Sequence, residues 1–101
     1  MAVTHTDYEA VAAGQSDQIL GPVGAVGDVL ERLIVSVNTL GAGGAVSIKD
    51  GNGSAIPITS ATTPVGVYTV VLGARCVNPT TPGWKVTTGA NATAVAVGRF
   101  T

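Results

Sequence analysis

The sequence predicts a small all-β domain, a sandwich or barrel of short antiparallel strands, and three observations carry that expectation. Residues with β preference run in short stretches such as Val-Tyr-Thr-Val-Val-Leu at 67–72. Gly, Pro, Asn and Asp recur as breaks at about 8–12-residue intervals, the spacing of a sandwich or barrel. The composition is light: 101 residues include 14 glycines, 46% are hydrophobic, 4% aromatic and 11% charged. Soluble domains ordinarily carry roughly 25% charged residues. The length suits one domain.

Taken in order, residues 1–7 read as a short N-terminal arm and 8–101 as the β-sandwich, because chain ends are loose unless something ties them down. The stretch 28–37 is ambiguous. Asp28 could cap a helix with Glu31 three positions on, placing Val29, Leu30, Leu33, Ile34 and Val37 on one face. Against this, Leu33, Val35 and Val37 alternate with Ile34 and Ser36, and β-branched residues dominate. A strand is the expectation, with Glu31 and Arg32 near its exposed start. Val46-Ser47-Ile48 and Ala55-Ile56-Pro57-Ile58 flank Asp50-Gly51-Asn52-Gly53, whose Asp-Gly and Asn-Gly pairs favour a tight hairpin. Further strands are expected at 67–72, 84–88 and 95–100. Breaks are expected at 21–22, 40–44, 62–64, 78–83 and 89–91.

Several function classes fail on inventory. A net charge of −1 with five basic residues disfavours a nucleic-acid binder that neutralises phosphates. Mean hydropathy is high at +0.44, but the longest apolar uncharged stretch, 33–48, is too short and too broken by Asn38 and glycines to span a bilayer. The first residues, MAVTHTDYEAV, carry neither the basic nor the apolar region of a secretory signal. A soluble chain made in the cytosol is the expectation.

Cys76 is the only cysteine and His5 the only histidine. A disulfide within the chain and a thiolate metal cluster are therefore excluded, and Cys76 reads as a small buried hydrophobe. A Ser-His-Asp set would depend on His5 in the arm, and the chain has no Gly-x-Ser-x-Gly elbow. Asp7 and Glu9 alternate on one strand face, which reads as a solvated face. Gly41-Ala42-Gly43-Gly44 lacks the remaining features of a phosphate loop. Asp50, Asn52 and Ser54 mimic the start of a calcium loop, but the twelfth position is Ala61 where a bidentate Glu belongs. No catalytic, metal-binding or cofactor-binding residue is assigned, and the chain does not read as an enzyme. Tyr8, Tyr68, Trp84 and Phe100 lie on four separate expected strands and read as core or interface residues rather than a stacking platform.

So few charges cannot cover the exterior of such a domain, and apolar surface left exposed marks a site of association. Here the sequence resembles small virion proteins of tailed bacteriophages. The resemblance rests on Thr6-Asp7-Tyr8-Glu9-Ala10-Val11, on Leu20-Gly21-Pro22-Val23 running into Gly27-Asp28-Val29-Leu30-Glu31-Arg32-Leu33, and on three later pieces. These are Val46-Ser47-Ile48-Lys49-Asp50-Gly51, Pro82-Gly83-Trp84-Lys85-Val86 and Gly98-Arg99-Phe100-Thr101. It implies a capsid decoration or cement protein: a jelly-roll-like sandwich, often a homotrimer, that binds the major capsid protein of the same phage on the outer surface of the virion. Such proteins clamp neighbouring capsid subunits against internal DNA pressure, with synthesis in the bacterial host cytoplasm and no enzymatic step. A tail or head-fibre component that binds a host receptor or glycan is the alternative. Candidate assembly contacts are Val3, Thr4 and His5 of the arm, Tyr8, and Phe100 at the end of the last strand.

Overall fold

The computed structural model describes residues 7–38 and 44–101, and among them it contains eight strands and no helix. In chain order these are β1 (Asp7–Val11), β2 (Gln18–Ile19), β3 (Val29–Val37), β4 (Val46–Asp50), β5 (Ile56–Thr59), β6 (Gly66–Arg75), β7 (Trp84–Thr88) and β8 (Ala92–Arg99). They form two four-stranded antiparallel sheets, β1-β8-β3-β6 and β2-β7-β4-β5. Four ladders are nested: β1 with β8, β2 with β7, β3 with β6 and β4 with β5. The chain is thus one long hairpin whose tip is the β4–β5 turn. Successive pairs fall alternately into the two sheets, and rolling the hairpin brings β3 beside β8 and β4 beside β7. That arrangement is the jelly-roll sandwich.

The core follows from strand alternation. Leu30, Leu33, Val35 and Val37 of β3 and Ala92, Ala94 and Ala96 of β8 face Val46, Ile48, Trp84 and Val86 of the other sheet, with Val11, Leu20 and Cys76 completing the buried set. The central strand β8 gives only small side chains to this layer, so β3 and the second sheet supply its bulk.

The segment 28–37 is a strand, as alternation and β-branching predict, and it explains its own ambiguity. The register slips between Leu30 and Arg32, leaving Glu31 as an extra residue against β8. Leu30 and Leu33 therefore both point inward although three residues separate them, which imitates helical spacing. The β4–β5 hairpin also forms, but not through the tight turn expected: its last pair is Ile48 with Ile56, and in the connection only Gly51, at φ 59°, takes a positive φ while Gly53 does not. Asp7 already pairs with Gly98, so strand pairing begins one residue before Tyr8. Residues 1–6, and all but Gly44 of the break expected at 40–44, lie outside the described residues.

Backbone bonds tie the loops at each end of the sandwich. At one end Gly14 donates to the Gly89 carbonyl (3.0 Å) and Gly89 to that of Ala45 (2.7 Å). At the other, Gly27 donates to Cys76 (2.8 Å) and Gly51 to Gly83 (3.0 Å), while Val23 and Gly24 both donate to the Thr101 carbonyl.

Candidate interaction surface

The outer faces of the two sheets differ in chemistry. On β1-β8-β3-β6, strand register defines outward rows: Tyr8, Val97, Arg32, Val71; then Ala10, Val95, Ile34, Thr69; then Thr93, Ser36, Val67. A further row places Arg99 and Arg75 on either side of Val29. Tyr8 is 78% exposed, Val71 80% and Val67 68%. On the second sheet the outward rows are Ile19, Lys85, Lys49 and Thr87, Ser47, Pro57. Asp17 joins these by accepting a bond from the Thr87 hydroxyl (3.1 Å) and pairing with Lys49 (3.2 Å).

The second sheet therefore presents hydroxyls and a satisfied ion pair to water. The first presents valines and isoleucine with all three arginines of the chain gathered toward one end. An antiparallel sheet in a two-layer domain needs one apolar face only. The second apolar face on β1-β8-β3-β6 is surplus to the fold.

Four of the six carboxylates, Glu9, Asp17, Asp28 and Asp50, are committed to structure. Asp28, 4% exposed, accepts from the Ala25 N–H (3.0 Å), the Thr101 N–H (3.2 Å) and the Thr101 hydroxyl (2.8 Å), fastening the chain end to the β2–β3 loop. Asp50 accepts from the N–H groups of Val77 (3.1 Å) and Asn78 (3.3 Å), and Asn78 in turn donates to Asn52 Oδ1 (2.9 Å). The oxygens that mimic a calcium loop are thus joined to the segment after β6. Burial pushes the Asp50 carboxyl up, but bonds from the Cys76 thiol, Val77 and Asn78 and the charge of Lys85 outweigh it and hold it below its ordinary value. Asp17 is also held low, first by the bond from Lys49 and then by that from Thr87. The Cys76 thiol is fully buried, accepts the Gly83 N–H (3.2 Å), and is pushed up by burial and by Asp50. Among the described residues no group of three or more His, Cys, Asp or Glu could hold a metal ion.

Glu9 departs from the solvated face expected for it. It is half-buried on the inward row, accepting from Gln18 (2.8 Å) and from the Gly21 N–H (2.7 Å). Of the candidate assembly contacts, Tyr8 stands on the apolar outer face. Phe100 follows β8, half-buried and packed against the core. Val3, Thr4 and His5 lie outside the described residues. Trp84 is buried, with its indole N–H lacking a hydrogen-bond partner, and Tyr68 is half-buried with its hydroxyl donating to the Pro64 carbonyl (2.6 Å).

Most of the outer face was not singled out from sequence: Arg32, Ile34, Val67, Val71, Arg75, Val95, Val97 and Arg99. The signal was present. Valines at 67, 70 and 71, and Val95 and Val97 alternating with Ala94 and Ala96, make both sides of β6 and β8 apolar. A two-layer fold has no second core to receive them.

No protein-family model, curated protein or solved structure matches this chain.

Proposed function

We propose that this protein is a non-enzymatic structural component of a tailed-bacteriophage virion, a capsid decoration or cement subunit that binds between major capsid proteins on the outer surface of the head. The observation that carries the proposal is the outward valine and arginine face of β1-β8-β3-β6, a sheet surface the fold does not need. The sequence resemblance supplies the kind of partner. The three arginines suit a capsid surface that offers carboxylates at the edge of an apolar patch. A subunit that binds only the assembled shell stabilises it by mass action, and attachment as a homo-oligomer, with a trimer favoured by the resemblance, multiplies that effect.

The tail or head-fibre reading calls for an exposed aromatic platform. Tyr8 is the one exposed aromatic of the four, so the structure gives that reading less support. The test is decoration of isolated heads of the phage that carries this chain. The native protein is expected to bind in many copies per head and to raise the temperature at which the shell opens. Val71→Glu, altering an outward side chain, is expected to fold normally and lose attachment. Recovery of the chain with purified tails, or full attachment by the variant, would refute the proposal.

A further inference from the structure

The four sheet edges are not equally protected. An open edge offers unpaired N–H and C=O groups to any passing strand, and stable monomers blunt it with short strands, proline, bulges or covering side chains. In the second sheet β2 is two residues long, while β5 carries Pro57 and a register shift opposite Val46 and Ser47. In the first sheet the β1 edge is covered in part by Gln18, whose amide reaches the Ala10 carbonyl (3.3 Å) and the Glu9 carboxylate. β6 lacks these devices over most of its length. It is the longest strand, ten residues, and no other strand among the described residues pairs with its outer side.

Its one irregularity defines the open stretch. Between Val71 and Ala74 the chain needs one residue more than β3 does between Leu30 and Arg32, and Gly73 takes φ 60° there. The regular part is therefore Gly66-Val67-Tyr68-Thr69-Val70-Val71-Leu72. It has no charge and no proline, and its middle residue is Thr69.

We infer that this edge is an interface with a second copy of the chain, in which β6 pairs antiparallel with β6 about a two-fold axis at Thr69. Centring on Thr69 pairs every residue of the open stretch and keeps inward side chains with inward ones. Val67 then stands opposite Val71 of the second copy, and Val71 opposite Val67. These valines are 68% and 80% exposed in the single chain. The two Thr69 side chains face each other, and Tyr68 lies opposite Val70 on the inner side. Valine and threonine pairs of this kind stabilise antiparallel ladders. Charge placement agrees: Arg75 lies beyond the bulge, so the two copies of it sit at opposite ends of the joint. Arg32, beside Val71, continues across the joint into the row of Val67 and Ser36 rather than toward its own twin. The product is a continuous eight-stranded sheet with two valine and arginine faces side by side. The pairing is two-fold by construction, so a three-fold cluster would use other surfaces. The inference does not rest on capsid binding.

The test is sedimentation velocity over roughly a hundredfold concentration range, because a joint of one strand pair falls at the small end of interface sizes. The native chain is expected to pass from monomer to dimer. Thr69→Cys should cross-link to a disulfide dimer on mild oxidation, since facing Cα atoms in such a ladder lie about 4.5–5.5 Å apart, within disulfide reach. Thr93→Cys, two strands further in, lies in a row that continues toward Val97 of the second copy; its twin is five strand spacings away, more than about 24 Å, and the variant should not cross-link. Thr69→Lys should weaken the dimer by at least about tenfold, with an unchanged melting temperature at concentrations where the native chain is monomeric. Four outcomes would overturn the inference. These are a monomer at the highest concentration, a trimer in which Thr69→Cys fails to cross-link, equal cross-linking of both cysteine variants, or a dimer indifferent to Thr69→Lys.

Discussion

Replacing Asp28 by alanine tests the account of how the sandwich holds its last residue. The carboxylate is 4% exposed and accepts three bonds, from the Ala25 N–H and from the N–H and hydroxyl of Thr101. A hydrogen bond to a charged group contributes about 1.5–3 kcal/mol. Ala25 lies in a half-buried loop and is counted at about 2 kcal/mol on that scale. Thr101 is exposed and its donors can turn to water, so they are counted at about 0.5 kcal/mol each. The expected loss is about 3 kcal/mol, which in a domain of this size lowers the melting temperature by about 12–24 °C. Asp28→Asn retains one acceptor oxygen and should lose about half as much. Urea unfolding measures both, and amide exchange at Val23, Gly24 and Ala25 reports whether the loop loosens locally. A loss under about 0.5 kcal/mol for the alanine variant, or an asparagine variant no better than alanine, would refute the reasoning.

Two further outcomes follow from the hydrogen-bonded carboxylates and the buried thiol. The carboxyls of Asp50 and Asp17 are held below their ordinary values in the folded state, so the unfolded chain binds protons first as pH falls. Their contribution to stability is present above about pH 4 and is lost below it, and Asp50→Asn should flatten the acid limb of stability against pH. The Cys76 thiol, buried and pushed up, should resist aqueous thiol reagents until the domain opens. Its labelling rate should then follow the population of unfolded chain as urea is added, and rapid labelling in buffer would contradict the burial.

The strands were legible where alternation ran unbroken. Val46-Ser47-Ile48 and Trp84-Lys85-Val86-Thr87-Thr88 each show one apolar and one polar side, and the structure gives them those sides. The stretch 28–37 was legible only in part, because the extra residue at Glu31 shifts the phase and a bulge has no composition of its own. From sequence Asp28 and Asp50 read as a cap and a turn residue. Apart from Ala25, their partners lie at Thr101 and at Val77 and Asn78, far along the chain, and a single sequence carries no signal for contacts at such separation. The outer face was legible in principle, since apolar residues at both parities of β6 and β8 exceed what one core can use. Only the strand order brings those residues together with Tyr8 and the arginines.

Magnitudes connect this face to association in multiple copies. Fully burying a valine or larger apolar side chain contributes about 1.5–3 kcal/mol. Tyr8, Val67 and Val71 are each at least two-thirds exposed, so covering all three offers about 3–6 kcal/mol. Bringing two bodies together costs an estimated 4–15 kcal/mol or more in lost freedom before side-chain ordering is counted. One copy pressed onto a flat partner by these residues alone would therefore be held weakly, even with the arginines paired at the rim. Two copies joined at β6 present Tyr8, the outer rows and the arginines twice on one rigid sheet, and the second attachment no longer carries the full association cost. The exposed edge and the surplus apolar face thus belong to one physical problem. The face is too small to bind firmly alone, and the edge beside it is the place where the domain can enlarge it.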